Sequence, residues 1–376
     1  MATNPSLLIV PYRYKAAKLY SQLPESGAGD FTVTRATTAT RTNASGLIES
    51  VASGVPRLDY TGGGCPALLV EPAATNLVLQ SEDFTQAVWA KTLSASVSGN
   101  TTVAPDGTLT ADTFTAGADG SQLQQVFLGA SGTTYTVSFY IKRRTGSGVV
   151  NIRAVENVNT PITVTNNWTR VSLSATSTST SIRVGLTLAT SGDQVDIWGA
   201  QLETGSVATS YIPTVAATQT RNADVISVSS VSGLIGQQAG TLYAEVDFSR
   251  AGKAAGDRII ELTNGTNANR IILSFSNDTS IITRVTAASV EQASFIATVS
   301  FGTLKIAFAY SSSGCVLYVN GVNTQSNLSA IIPATNQINI GFQGVTLASQ
   351  LNDRIRAAAI YTSRLSNAEL ATLTTL

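Results

Sequence analysis

The chain has no histidine, only two cysteines and a single methionine in 376 residues. Without imidazole it lacks the commonest general base near neutral pH and the commonest metal ligand. Cys65 and Cys315 are far apart and form neither a disulfide framework nor a zinc-ligand spacing, so both are expected as free thiols. Charged residues are also scarce, at 12%, and Lys+Arg balances Asp+Glu at 23 each. A protein that grips a phosphate backbone carries a basic excess. Here the one basic tract is Lys142-Arg143-Arg144, placed at the solvated end of a strand, so no nucleic-acid partner is expected. No apolar run approaches the ~20 residues of a membrane span, and no membrane partner is expected. The short run Leu7–Val10 has no basic leader and is followed by Arg13 and Lys15, unlike a secretory signal. The expectation is a soluble protein made in a reducing cytoplasm. No glycine-rich phosphate loop and no nucleophile triad is present.

What the chain does have is strand chemistry. Hydrophobic residues make up 43%, enough to exclude disorder by composition. Thr, Ser, Asn and Gly supply the polar surface, and Thr and Val favour strands. Thr134–Lys142 alternates cleanly, with Tyr135, Val137, Phe139 and Ile141 against Thr136, Ser138 and Tyr140. Ser147–Val155, Trp168–Ala175, Ser181–Ala189 and Val195–Leu202 follow at the spacing of a sandwich. Gly205 and Pro213 punctuate the exit, which places a first globular module at 76–214 and a linker at 215–221. Residues 222–376 read as a second module. Its strands are Gly240–Phe248, Arg258–Leu262, Arg270–Phe275, Ile281–Thr286, Thr303–Tyr310, Cys315–Val319, Gln337–Phe342 and Asp353–Tyr361. Asn320-Gly321 tolerates the positive φ of a type I′ hairpin turn. One short helix closes the chain, with Ser366 and Glu369 as a capping box and Leu365 and Leu370 as a hydrophobic staple. Residues 1–75 hold only short strands between Pro and Gly, too small to bury a core alone. They are expected as an arm that packs on the next domain, a sister subunit or a larger assembly. The fold class is all-β: two tandem antiparallel sandwiches behind an irregular arm.

Three resemblances attach to these residues. Asn76-Leu77, Ser81–Phe84, Trp89, Tyr135–Lys142, Trp168–Val171, Trp198–Glu203 and Tyr211–Pro213 resemble a carbohydrate-binding-module jelly roll. Leu317–Gly321 and the run Ile360–Leu370 resemble a laminin-G-like, concanavalin-A-like sandwich. The module order, with Arg35–Arg41, Gly46–Glu49, Arg57–Tyr60 and Leu68–Asn76, resembles structural proteins of tailed-bacteriophage virions: head fibres, capsid decorations and tail fibres. That last resemblance implies a homo-trimer in a virion, made in host cytoplasm, with capsid or tail proteins as partners.

Candidate sites follow. Tyr140, Lys142, Asn151, Arg153, Arg183 and Thr187 alternate against the apolar Phe139, Ile141, Ile152, Val184 and Leu186, and Asp196 and Trp198 lie on the corresponding face of the closing strand. If these strands are neighbours, Tyr140, Asn151, Arg153, Arg183 and Trp198 line a glycan groove; the competing expectation is that this face docks protein. Trp89, Trp168 and Trp198 each fall where the jelly-roll pattern calls for a large packing residue. Asp112, Asp193 and Asp196 are candidate oxygen ligands for the structural calcium that the jelly-roll resemblance implies; no other cofactor is expected. Glu245 and Asp247 share one strand face, as do the carboxylates of retaining glycoside hydrolases on such sandwiches. The third acid is absent: Ser249 and Arg250 stand there, and the strand is expected to be peripheral.

The sequence thus points to a non-enzymatic virion component, anchored by residues 1–75, that decorates a capsid or attaches to host-surface glycans. The alternatives are a free carbohydrate-binding lectin, or a glycan-cleaving enzyme that uses Glu245 and Asp247.

Overall fold

A computed structural model describes residues 4–376 except 157, 328, 347 and 348; the first three residues of the expected arm lie outside the described residues. Among the described residues the chain is all-β apart from one short helix and one 3₁₀ turn. It divides into two compact units. One contains residues 47–50 and 73–221; the other contains 1–46, 51–72 and 222–376.

The unit built on 73–221 is a sandwich of two five-stranded antiparallel sheets. One runs in the order Ser96–Thr102, Ala111–Thr115, Gln194–Thr204, Thr134–Thr145, Thr169–Thr176; we call it the Tyr140 sheet. The other runs Ala90–Thr92, Ser121–Leu128, Ser181–Leu188, Val150–Ala154, Val158–Ile162; we call it the Arg153 sheet. The predicted alternation holds, because one face of each strand must leave water. Tyr135, Val137, Phe139 and Ile141 meet Ile152, Val184 and Leu186 in the core. Phe84, Trp89 and Phe139 form its aromatic centre, with ring centroids 4.8–6.4 Å apart. Pro161 is tolerated because its strand lies at a sheet edge. Gly199 interrupts the closing strand with φ +62 at a register shift opposite Ser138–Tyr140. This bulge resets the alternation: Val195, Ile197, Ala200 and Leu202 all reach the core, while Trp198 points the other way.

The other unit is a larger sandwich. Its eight-stranded sheet runs Val322–Asn327, Cys315–Val319, Gly302–Ser311, Ala239–Phe248, Asp353–Tyr361, Ala67–Val70, Leu58–Asp59, with Leu7–Ile9 also on Asp353–Tyr361. Its nine-stranded sheet runs Tyr14–Lys15, Lys18–Leu19, Phe31–Thr34, Val225–Ser229, Gln337–Ile340, Arg258–Thr263, Arg270–Asn277, Ser280–Ala287, Val290–Thr298. Asn320 and Gly321 take φ +48 and +83, the hairpin turn their sequence requires. Both halves of the Ser366/Glu369 capping box form, and Leu365 and Leu370 of that C-terminal segment bury on Tyr243, Ala307, Ala359 and Tyr361 of the eight-stranded sheet. Cys65 is exposed, Cys315 buried, and both are free thiols.

Two expectations about organisation do not hold. The expected arm, residues 1–75, is not a separate element: residues 4–46 and 51–72 belong to the C-terminal unit and supply strands to both sheets of its sandwich. Leu7 pairs with Ile360, Leu68 with Ile355 and Val33 with Ile226, and their side chains belong to its core. Nor is 215–221 a free linker, since Gln219–Arg221 pairs with Ala74–Asn76. The jelly roll is therefore inserted into the sandwich, and the two are nested along the chain. A buried ion network fixes the N-terminal strands. Arg57 bonds Glu71 at 2.6 Å and also pairs with Asp224, which holds Arg35 at 2.8 Å. Glu71 in turn pairs with Arg250. Charges this buried persist only when each is matched and hydrogen-bonded.

Candidate functional site

The outward face of the Arg153 sheet is a polar field built by register. Gln122, Thr187 and Asn151 lie side by side on three adjacent strands, as do Gln124, Gly185 and Arg153. Gly185 leaves a gap in the second row. A Cβ there would stand 2.0 Å from the Leu123 carbonyl, so no side chain fits. Arg153 lies across this gap and donates from Nη1 to Gln124 Oε1 at 2.7 Å and to Gln122 Oε1 at 3.3 Å. Arg183, opposite Val126, is exposed and has no ion-pair partner among the described residues. Partial burial and the nearby Arg183 charge both lower the pKa of Arg153. The outward positions of this sheet carry these two cations and no carboxylate. Beside them Val126 and Leu128 are 57% and 91% exposed, which gives the field an apolar end. Amide, hydroxyl and guanidinium groups in such rows can bridge vicinal hydroxyls or a carboxylate bidentately.

Of the predicted groove, Asn151, Arg153, Arg183 and Thr187 come together. Tyr140 and Trp198 do not, because their strands belong to the other sheet. Trp198 is 1% exposed. It packs with Ala104, Ala111 and Tyr211 in a small second core, its ring 4.6 Å from Tyr211 and 5.6 Å from Tyr140. Its Nε1 donates to Thr110 Oγ1 at 3.1 Å. Arg170 lies 5.4 Å over the Tyr140 ring. The packing reading of Trp89 and Trp198 agrees with their burial. Trp168 is half-buried, with Lys142 4.9 Å from its ring. The residues that sequence reasoning missed are Gln122 and Gln124. Their strand alternates as Gln-Leu-Gln, a pattern that could have found them.

The carboxylate candidates are already engaged. Asp112 accepts from the backbone N–H groups of Phe84 and Asn100 at 2.7 and 2.9 Å, and burial raises its pKa. Asp193 pairs with Arg143 at 3.1 Å, and Asp196 with Arg144 at 2.8 Å, which is where the basic tract is used. Among the described residues no three His, Cys, Asp or Glu side chains gather as a metal site. Asp247 is held by Arg356 at 2.6 Å and Arg354 at 3.5 Å. Glu245 accepts from the Tyr243 hydroxyl at 3.4 Å, and burial beside this carboxylate pushes the Tyr243 pKa up. Their strand is central in its sheet, between Gly302–Ser311 and Asp353–Tyr361, not peripheral as expected.

No protein-family model and no curated protein sequence matches this chain. Among solved structures it is similar to the CBM40 module of the Ruminococcus gnavus IT-sialidase bound to α2,3-sialyllactose. That match has a TM-score of 0.33 and 17% identity over 38% of this chain and 84% of that one. It is also similar to a CBM4 structure (TM-score 0.25, 17% identity, 35% of this chain and 94% of that one). A third is the heptameric SAP-like pentraxin of Limulus polyphemus, with a TM-score of 0.30 and 11% identity over 37% of this chain and 70% of that one.

Proposed function

We propose that this chain is a non-enzymatic glycan-binding protein that uses the outward face of the Arg153 sheet. The observation that carries the reading is the arrangement of Gln122, Gln124, Asn151, Arg153 and Thr187 in two rows over three adjacent strands. Arg153 and Arg183 face outward with no carboxylate between them, so sugars that carry an acidic group fit better than neutral ones. A non-catalytic role is supported by Asp247, whose carboxylate is clamped by two guanidinium groups. A retaining glycosidase needs a second carboxyl ~5 Å away, free to cycle its proton. In the wider setting we place the protein on a phage virion, as a homo-oligomer that displays this face to host glycans. That reading is motivated by the resemblance of Arg57–Tyr60 and Leu68–Asn76 to virion proteins. Because residues 4–46 and 51–72 fold with the sandwich, this reading has the protein attach through a surface of the folded domain and not through a free arm.

A glycan array probed with the full chain tests the binding claim. Binding lost in Arg153→Ala and Arg183→Ala, and retained in Glu245→Gln, is expected; a blank array refutes it. Electron microscopy of purified virions with a label at Leu376 tests the setting, and unlabelled particles throughout would refute it.

A further inference from the structure

The C-terminal sandwich carries a second polar site, on the outward face of its nine-stranded sheet. It is a cavity of about 200 Å³ lined by Arg258, Arg270, Arg284, Ser274, Ser276 and Ser349, roomy enough for a small polyatomic ion. Register brings the cations together. Arg258 stands opposite Ser274, Arg284 opposite Ile272, and Arg270 opposite Thr286 on the adjacent strand. Three guanidinium groups around one small cavity repel one another, and among the described residues two carboxylates form ion pairs with them. Glu261 lies 3.6 Å from Arg258 Nε, and Glu291 lies 3.2 Å from Arg284 Nε at the exposed side. Glu261 is also committed elsewhere, since its Oε2 accepts from Asn339 Nδ2 and the Gly344 N–H at 2.9 and 2.8 Å.

Two further observations point to an absent anion. Arg258 is 4% exposed, and its Nε, like the buried Nε of Arg270, has no hydrogen-bond acceptor among the described residues. Buried charged donors are normally satisfied. Gly256 takes φ +98 beside the cavity, where a Cβ would meet Arg258 Nη1 at 3.3 Å and Ser349 Oγ at 3.5 Å. Its lack of a side chain keeps that approach open. We propose that this cavity binds one compact tetrahedral oxyanion, sulfate or phosphate in shape, either free or as an ester on a sugar. The guanidinium forks supply paired donors, and the serine hydroxyls supply the remainder. The site is independent of the jelly-roll face and of the function assigned to it.

The test is thermal unfolding of the full chain at constant ionic strength, with chloride replaced by sulfate or phosphate at low millimolar concentration. A bound anion raises Tm along a saturating curve, whereas general salting-out is linear and needs far higher concentrations. The curve should saturate in the wild type and vanish in Arg270→Gln and in the surface variant Arg284→Gln. Galactose 6-sulfate distinguishes the two sources. Half-saturation at least tenfold below that of inorganic sulfate marks a sugar ester, and equal values mark a free anion. An absent or linear response in the wild type, or an unchanged saturating response in both variants, would overturn the proposal.

Discussion

Residues 222–376 expressed alone should not fold, despite containing most strands of the C-terminal sandwich. The perturbation removes Leu7, Ile9, Leu19, Phe31, Val33, Leu58, Leu68 and Val70 from its core. At about 1.5 kcal/mol each, the low end for a buried aliphatic side chain, that is about 12 kcal/mol. Allowing for a compact unfolded state reduces it to about 7 kcal/mol. Asp224 and Arg250 would also lose Arg57 and Glu71, leaving buried charges unmatched at about 3–5 kcal/mol each. A domain holds a net stability of only about 5–15 kcal/mol, so the loss exceeds what the fragment can bear. The complementary design joins Pro72 to Asn222 through a linker of about four residues and deletes the jelly roll. This is feasible because Ala74 and Arg221 are paired neighbours. Thermal melts followed by far-UV circular dichroism should give a cooperative transition for the linked protein and for 73–221 alone, and none for 222–376. A cooperative melt of 222–376 near the temperature of the full chain would refute the reasoning.

Further outcomes follow from single side chains. Arg57→Ala should destabilise by about 3–5 kcal/mol in urea unfolding, because it removes the buried guanidinium that Glu71 and Asp224 share and leaves each with one cation, Arg250 and Arg35. Gly199→Ala should cost about 1–2 kcal/mol for its left-handed φ of +62; an unchanged midpoint would remove the bulge from the account. Trp198→Ala should cost about 3–5 kcal/mol as a core deletion and leave glycan binding intact in protein that remains folded. Burial pushes the Asp257 carboxyl from 3.8 up to about 6. The folded state therefore binds more protons than the unfolded one between those values, and stability falls as pH rises through that window. Asp257→Asn, which keeps an acceptor for the Ala254 N–H, should be more stable than wild type at pH 7.5 by about 3 kcal/mol. The advantage should vanish near pH 4, and a Tm difference independent of pH would contradict it.

Local signals were legible where the physics is local. The Cys315–Val319 and Asp353–Tyr361 strands, the Asn320-Gly321 turn and the Ser366 cap depend on neighbours a few residues away. The role of residues 1–72 was not legible. Leu7–Ile9 and Phe31–Thr34 are strands of three and four residues, and what fixes them in the sandwich is pairing with partners far along the chain, Leu7 with Ile360 and Val33 with Ile226. The site was half legible for a related reason. Alternation says which residues of one strand share a face, but not which sheet the strand joins. Thr134–Thr145 and Val150–Ala154 follow each other in sequence and enter opposite sheets. Tyr140 and Asn151 were therefore grouped on one surface when they belong to two. The aromatic half of the expected groove became a packed second core, and Gln122 and Gln124 took its place beside Arg153.

The central claim is that the Arg153 face binds glycan. Amide chemical-shift mapping of the isotope-labelled full chain, titrated with the oligosaccharide that binds best on the array, tests it most directly. The account predicts shifts centred on Gln122, Gln124, Asn151, Arg153, Arg183 and Thr187, abolished in Arg153→Ala. Shifts centred instead on Tyr140, Trp168 and Tyr211, or on Glu245 and Asp247, would contradict it.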